Sequence, residues 1–61
     1  MKSNSKNYHG EIATFEIGQN VQHVTDQGEI TNAIITGISD DLLRLSFHDG
    51  EEGSEAPETC F

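Results

Sequence analysis

Polar and apolar residues alternate most regularly between Leu42 and His48. Leu43, Leu45 and Phe47 fall on one side of an extended chain, and Arg44, Ser46 and His48 on the other. A helix would scatter the three apolar residues around its circumference, so the run predicts a strand. It ends at Asp49-Gly50, a preferred hairpin dipeptide. Ile30 to Ile38 is rich in β-branched residues, which lose side-chain freedom in a helix and pack well on a pleated sheet. Ala33 and Ile35 share one face of this second strand, and Ile34 and Thr36 the other. Gly37 is expected to mark a bulge or bend that returns Ile38 to the face of Ala33 and Ile35. With Ile35 and Leu43 inward, Ile34 and Leu42 are left on the outer face.

The remaining pattern is weaker. Val21, Val24 and Thr25 suit a strand, and Glu11 to Ile17 alternates in part, with Ile12, Phe15 and Ile17 as anchors. Turns are expected at Gly18-Gln19-Asn20, Asp26-Gln27-Gly28 and Ser39-Asp40-Asp41. Glu51 to Ser54 reads as a loop. Glu55 to Phe61 reads as a last short strand, with Ala56 and Phe61 available for burial and Pro57 confining it to an edge or an irregular stretch. Residues 1–10 are polar apart from Tyr8 and read as a flexible tail. No segment has a helical period, and no internal repeat is found.

The sum is an all-β chain of four or five short strands, a single domain over residues 11–61 after the tail. Bending so small a sheet into a barrel buries one face against itself and shortens the open edges. The order of the pieces is Gly18-x-x-Val21, a loop ending in Gly28, Ala33-x-Ile35, Leu43-x-Leu45-x-Phe47, Asp49-Gly50 and a closing segment near Pro57. This order resembles the SH3-like small barrels, among them Tudor-type and KOW-type modules and small bacterial domains of unknown function. The resemblance covers about residues 15–61 and implies a four- to five-stranded SH3-like barrel. It does not carry over the best-known functions of that group. Tudor-type readers of methylated side chains use an aromatic cage, whereas this chain has only Tyr8, Phe15, Phe47 and Phe61, with Phe15 and Phe47 assigned to the core. KOW-type modules that bind nucleic acid are basic on the binding face, and this chain is acidic.

Charge narrows the field further. The chain of 61 residues has a formal net charge of −8, with three basic side chains against eleven acidic ones. Lys2 and Lys6 lie in the first residues, so from Asn7 onward Arg44 is the only strong base. A phosphate-neutralising surface needs a basic patch, so direct nucleic-acid binding is not expected, nor is adsorption to an anionic membrane. Basic proteins, or cations, are the electrostatically favoured partners. One cysteine, Cys60, excludes an internal disulfide framework. No apolar run is long enough to span a membrane, and no secretory signal pattern follows Met1, which leads to a cytoplasmic expectation.

His9, His23, His48 and Cys60 are the candidate transition-metal ligands, but no two of them have the close spacing of a zinc site, so no metal and no cofactor are expected. The acidic stretch Asp49-Gly50-Glu51-Glu52-Gly53-Ser54-Glu55 lacks the spacing of an EF-hand and reads as solvated charge. Cys60 is a poor nucleophile candidate: it is expected to fray as the penultimate residue, and neighbouring acids raise a thiol's pKa. No catalytic residues are therefore assigned. What remains is a partner surface: an acidic rim of Asp40, Asp41, Asp49, Glu51, Glu52 and Glu55, with an apolar patch near Ile34 and Leu42. The expected role is a non-enzymatic acidic interaction or regulatory module that meets a basic protein, with self-association into a homo-oligomer as a further use of the apolar patch. The alternatives are a nucleic-acid mimic or anti-defence regulator that occupies a basic protein's groove, and an oligomeric small-molecule-binding protein or enzyme with its site on a symmetry axis.

Overall fold

Six strands form in the computed structural model, which describes residues 2–39 and 41–61. They are β1 (Lys2–Lys6), β2 (Ile12–Glu16), β3 (Asn20–Val24), β4 (Ile30–Ser39), β5 (Leu42–Phe47) and β6 (Glu52–Glu55), followed by a 3₁₀ turn at Pro57–Thr59. The all-β expectation holds, with six strands in place of the expected four or five. All pairing is antiparallel: β1 and β2 form one hairpin, and β3-β4-β5-β6 form a meander. The strands stand as two sheets rather than as one closed barrel. No helix among the described residues is long and apolar enough to cross a membrane.

The inner face of the meander follows the alternation. Val21, Ala33, Ile35, Leu43 and Leu45 are buried, and Phe15 from β2 and Cys60 from the C-terminal segment complete the core. The β4–β5 register shifts between Ile35 and Gly37, which sets Ile38 opposite Leu43 and packs it against the core, as the glycine predicts. Ile34 and Leu42 are left exposed on the outer face.

Four expectations need correction. Residues 2–6 are not a tail: they pair with β2 in register from Lys2↔Glu16 to Lys6↔Ile12. Ser3 and Ser5 are half-buried opposite Phe15 and Ala13. The strand is held by its ladder, by Thr14 donating to Asn4 Oδ1 at 2.7 Å and by a Lys2–Glu16 ion pair at 3.2 Å. None of these leaves an apolar period in the sequence. Ile12 and Ile17 do not anchor a core face; Phe15 alone of the three is buried. The segment after Asp49-Gly50 is a loop only through Glu51, because β6 begins at Glu52. The chain then turns through Pro57–Thr59, and Pro57 and Cys60 are the buried residues there, with Ala56 and Phe61 only half-buried. Pro57 lacks an N–H, which suits the start of a helical turn and not a strand ladder.

Three hairpins share one turn. Gly10 N donates to Asn7 O, Gly28 N to Thr25 O and Gly50 N to Phe47 O, at 2.9–3.0 Å. In each, the first residue's N–H reaches the glutamate after the glycine: Glu11, Glu29 or Glu51 O, at 2.7–2.8 Å. Each glycine has φ between 76° and 91°, a left-handed backbone that side chains disfavour. The turns at 25–29 and 47–51 lie at the same end of the meander, because β4 begins where β5 ends.

The meander curls strongly. In a flat sheet β3 and β6 would lie about 14 Å apart, three strand spacings. Here His23 Nε2 on β3 comes within 3.8 Å of Glu55 Oε2 on β6. The 3₁₀ turn then carries the chain back to β3, where Gln22 and Phe61 exchange two backbone hydrogen bonds at 2.7 and 2.9 Å. Tyr8 N donates to Cys60 O at 2.8 Å, which ties the first hairpin to the same segment. The rings of Tyr8, His9 and Phe61 pack together there, with centroids 4.8–5.8 Å apart.

Candidate functional site

The curl leaves a cleft of about 390 Å³ at the end of the meander where the 25–29 and 47–51 turns lie. Each strand supplies an inward residue near this end: His23 and Thr25 from β3 and its turn, Thr31 from β4, Phe47 from β5 and Glu55 from β6. The Asp49-Gly50 turn adds His48, Asp49 and Glu51. Its geometry is fixed locally, since Asp49 Oδ1 accepts the Glu51 N–H at 3.1 Å and so holds both acids at the rim.

His23 is the most constrained polar group of the site. The residue is 7% exposed and its ring lies beside that of Phe47, centroids 5.7 Å apart. Its Nδ1 is 3.1 Å from Thr59 Oγ1. The Thr59 hydroxyl donates to Ala56 O at 2.7 Å, so its oxygen is left to accept. Nδ1 is therefore the donor of that bond, and Nε2 lies on the side of the ring toward Glu55. Nε2 makes no hydrogen bond among the described residues, and Glu55 Oε2 lies beyond bonding distance at 3.8 Å. The ring is thus not arranged as a base for Thr59, because it faces that hydroxyl as a donor.

Behind His23 the Cys60 thiol is fully buried. Burial pushes its pKa up; the nearby Glu55 carboxylate adds to the rise, and hydrogen bonding with Thr59 opposes it. The expected upward direction is met, but its main cause is burial and not the acids. The fraying expected of this position is corrected as well: Cys60 N bonds to Pro57 O at 3.0 Å, and its backbone bridges to His23.

The acidic rim read from the sequence is divided by the fold. Asp49, Glu51 and Glu55 come together at the cleft. Glu52 points to the opposite face, where its carboxylate is 3.8 Å from Arg44 Nε. Asp41 sits in the β4–β5 turn, at the far end of six-residue β5, roughly 20 Å from Asp49. Asp40 lies outside the described residues. Ile34 and Leu42 share the outer face but form no continuous patch. Ile34 pairs with Ser46, and Leu42 is four residues further along β5 with Arg44 between, about 13 Å away.

His23, Thr25, Thr31, Phe47 and His48 were absent from the sequence-based site. A usable signal existed for one of them: His23 follows Val21 at a two-residue spacing, which places an imidazole on the buried face of β3. No protein-family model matches the chain, and neither a curated protein nor a solved structure matches it.

Proposed function

We propose that this chain is a non-enzymatic interaction module that recruits a basic protein partner through its acidic surface. One observation carries the reading: Asp49, Glu51 and Glu55 converge on one cleft that no lysine or arginine lines. Lys2 and Arg44 lie elsewhere, each beside a carboxylate of its own. Uncompensated negative charge in a concavity attracts cations and speeds their encounter. The finer architecture that accompanies this reading is an SH3-like barrel. The β3–β6 meander, the 3₁₀ turn and the return of Phe61 to Gln22 support it.

The test is binding to arginine- and lysine-rich peptides against neutral ones of the same length, followed by calorimetry or fluorescence across ionic strength. Affinity for the basic peptides is expected to fall steeply between about 0.01 M and 1 M salt, as the screening length shrinks from roughly 30 to 3 Å. Equal affinity for basic and neutral peptides, or affinity indifferent to salt, would overturn the reading. Competition by duplex DNA for the same protein partner would move it toward phosphate mimicry.

A further inference from the structure

An antiparallel ladder leaves alternate residues with their N–H and C=O groups pointing away from the partner strand. The turn bond from Phe47 N to Glu51 O sets the phase of the β5–β6 ladder. Leu45↔Gly53 and Leu43↔Glu55 are then the hydrogen-bonded pairs, and Glu52 and Ser54 present their backbone groups at the outer edge of β6. Both residues are exposed, and neither backbone makes a hydrogen bond among the described residues. The opposite edge of the meander is partly capped, because Gln22 of β3 pairs both of its backbone groups with Phe61. On β1 the same phase, set by Asn7 N to Glu11 O, frees Lys2, Asn4 and Lys6, and two lysines guard that edge. β6 carries no lysine or arginine, and Glu51 and Glu55 flank Gly53 on its inner side.

We infer that β6 is the docking edge for an extended basic segment of the protein partner, which adds to the meander as a fifth strand; this rests on the basic-partner reading and gives it a mode of recognition. Backbone pairing with Glu52 and Ser54 supplies affinity and fixes the register. In antiparallel alignment the guest residue opposite Gly53 directs its side chain to the inner side, between Glu51 and Glu55. The guest residues two before and two after it stand directly opposite those carboxylates, where opposite charges attract across strands. Gly53 leaves the central position unobstructed. The groups nearest to where its Cβ would stand are Phe47 Cε2 at 3.6 Å and a Glu55 carboxylate oxygen at 3.9 Å. A basic side chain laid across the glycine therefore meets an aromatic ring and an anion. On the outer side Glu52 already lies beside Arg44, so the intervening guest residues need no charge. The favoured guest is basic at every second residue.

The experiment is an amide NMR titration of the full chain with three blocked heptapeptides of one sequence, threonine-lysine-valine-arginine-valine-lysine-threonine. One is unmodified, one is N-methylated at both valines, and one is N-methylated at the arginine and the second lysine. All three carry the same charge. The unmodified peptide is expected to shift Glu52, Gly53 and Ser54 and to slow hydrogen exchange of the Glu52 and Ser54 amides. Methylated valines lose the two donors that face β6 and should bind about tenfold more weakly or worse, whereas methyl groups on the far side should cost less than about threefold. Ser54→Pro deletes a donor at the free edge, where proline is tolerated, and should weaken the unmodified peptide about fivefold or more. Asn4→Pro makes the same change on β1 and should alter affinity less than about twofold. Amide dispersion of each variant reports folding, and the comparison of the three peptides on the unaltered chain stands without either variant.

Equal binding of the three peptides would overturn strand addition while the basic-partner reading survives, since such binding follows charge alone. A larger loss from methylating the arginine and lysine would overturn the placement of the basic side chains on the inner side. Loss with Asn4→Pro rather than Ser54→Pro would overturn the assignment to β6 in favour of β1. Failure of every peptide to bind would sink both readings.

Discussion

The two faces of the β3–β6 meander differ in what their polar residues do. The outer face carries Asn20, Gln22, Asn32, Ser46 and Ser54, all uncharged and most of them exposed to water. Its one ion pair among the described residues, Arg44–Glu52, is exposed on both sides. Its aliphatics, Ile34 and Leu42, stand apart. The inner face is apolar through Val21, Ala33, Ile35, Leu43 and Leu45, and its few polar groups, His23, Thr31 and Glu55, gather where the curled sheet opens. Side chains of similar kinds stand apart on the outer face and close together on the inner one. Curvature removes water and brings groups from distant strands within reach, and both strengthen electrostatic contacts.

The contrast is most severely tested by truncation. Leu45→Ala, at a fully buried inner position, is expected to lower unfolding stability by about 2–5 kcal/mol in urea or thermal melts. Ile34→Ala on the outer face should stay within about 0.5 kcal/mol. Comparable losses would mean the outer face is packed against something. At the mouth of the cleft, Gly50→Ala forces a side chain into a backbone with φ of 91° and should cost about 1–2 kcal/mol. A neutral result would show that the turn holding Asp49 and Glu51 is not fixed.

Cys60 offers a milder test of how dry the inner face is. Its thiol ionises in the unfolded chain before it does in the fold, so the unfolded state binds fewer protons once the pH enters the thiol range. Stability is therefore expected to fall as pH rises through the ordinary thiol range toward the raised folded value, and Cys60→Ala should remove that slope in melts recorded at alkaline pH. An unchanged slope would show that the thiol reaches water. Nitrogen-correlated spectra of the His23 ring should find the Nδ1–H form when the ring is neutral. The Nε2–H form would show that the ring accepts from Thr59 instead. Smallest of all, Arg44→Ala should change stability by less than about 1 kcal/mol, as for other exposed pairs.

The sequence by itself determined the elements whose cause is local. The Leu43-Leu45-Phe47 alternation, the bulge at Gly37, the Asp49-Gly50 turn and the outward placement of Ile34 and Leu42 all follow from a two-residue period and from glycine's backbone freedom. Strand β1 was not legible, because a polar Lys-Ser-Asn-Ser-Lys segment becomes a strand only when β2 offers it a ladder and Glu16 pairs with Lys2. The site was legible in its acids and not in its arrangement. Asp49, Glu51 and Glu55 read as part of one rim with Asp40, Asp41 and Glu52, since charge along a chain carries no record of which face it reaches. The tertiary structure alone decided that Glu52 turns away to Arg44, that Asp41 lies at the other end of β5, and that Glu55 meets His23 and Phe47. That last meeting joins the two edge strands of a four-stranded meander, and it depends on how far the sheet curls, which is set by the summed packing of every inward side chain rather than by any one of them.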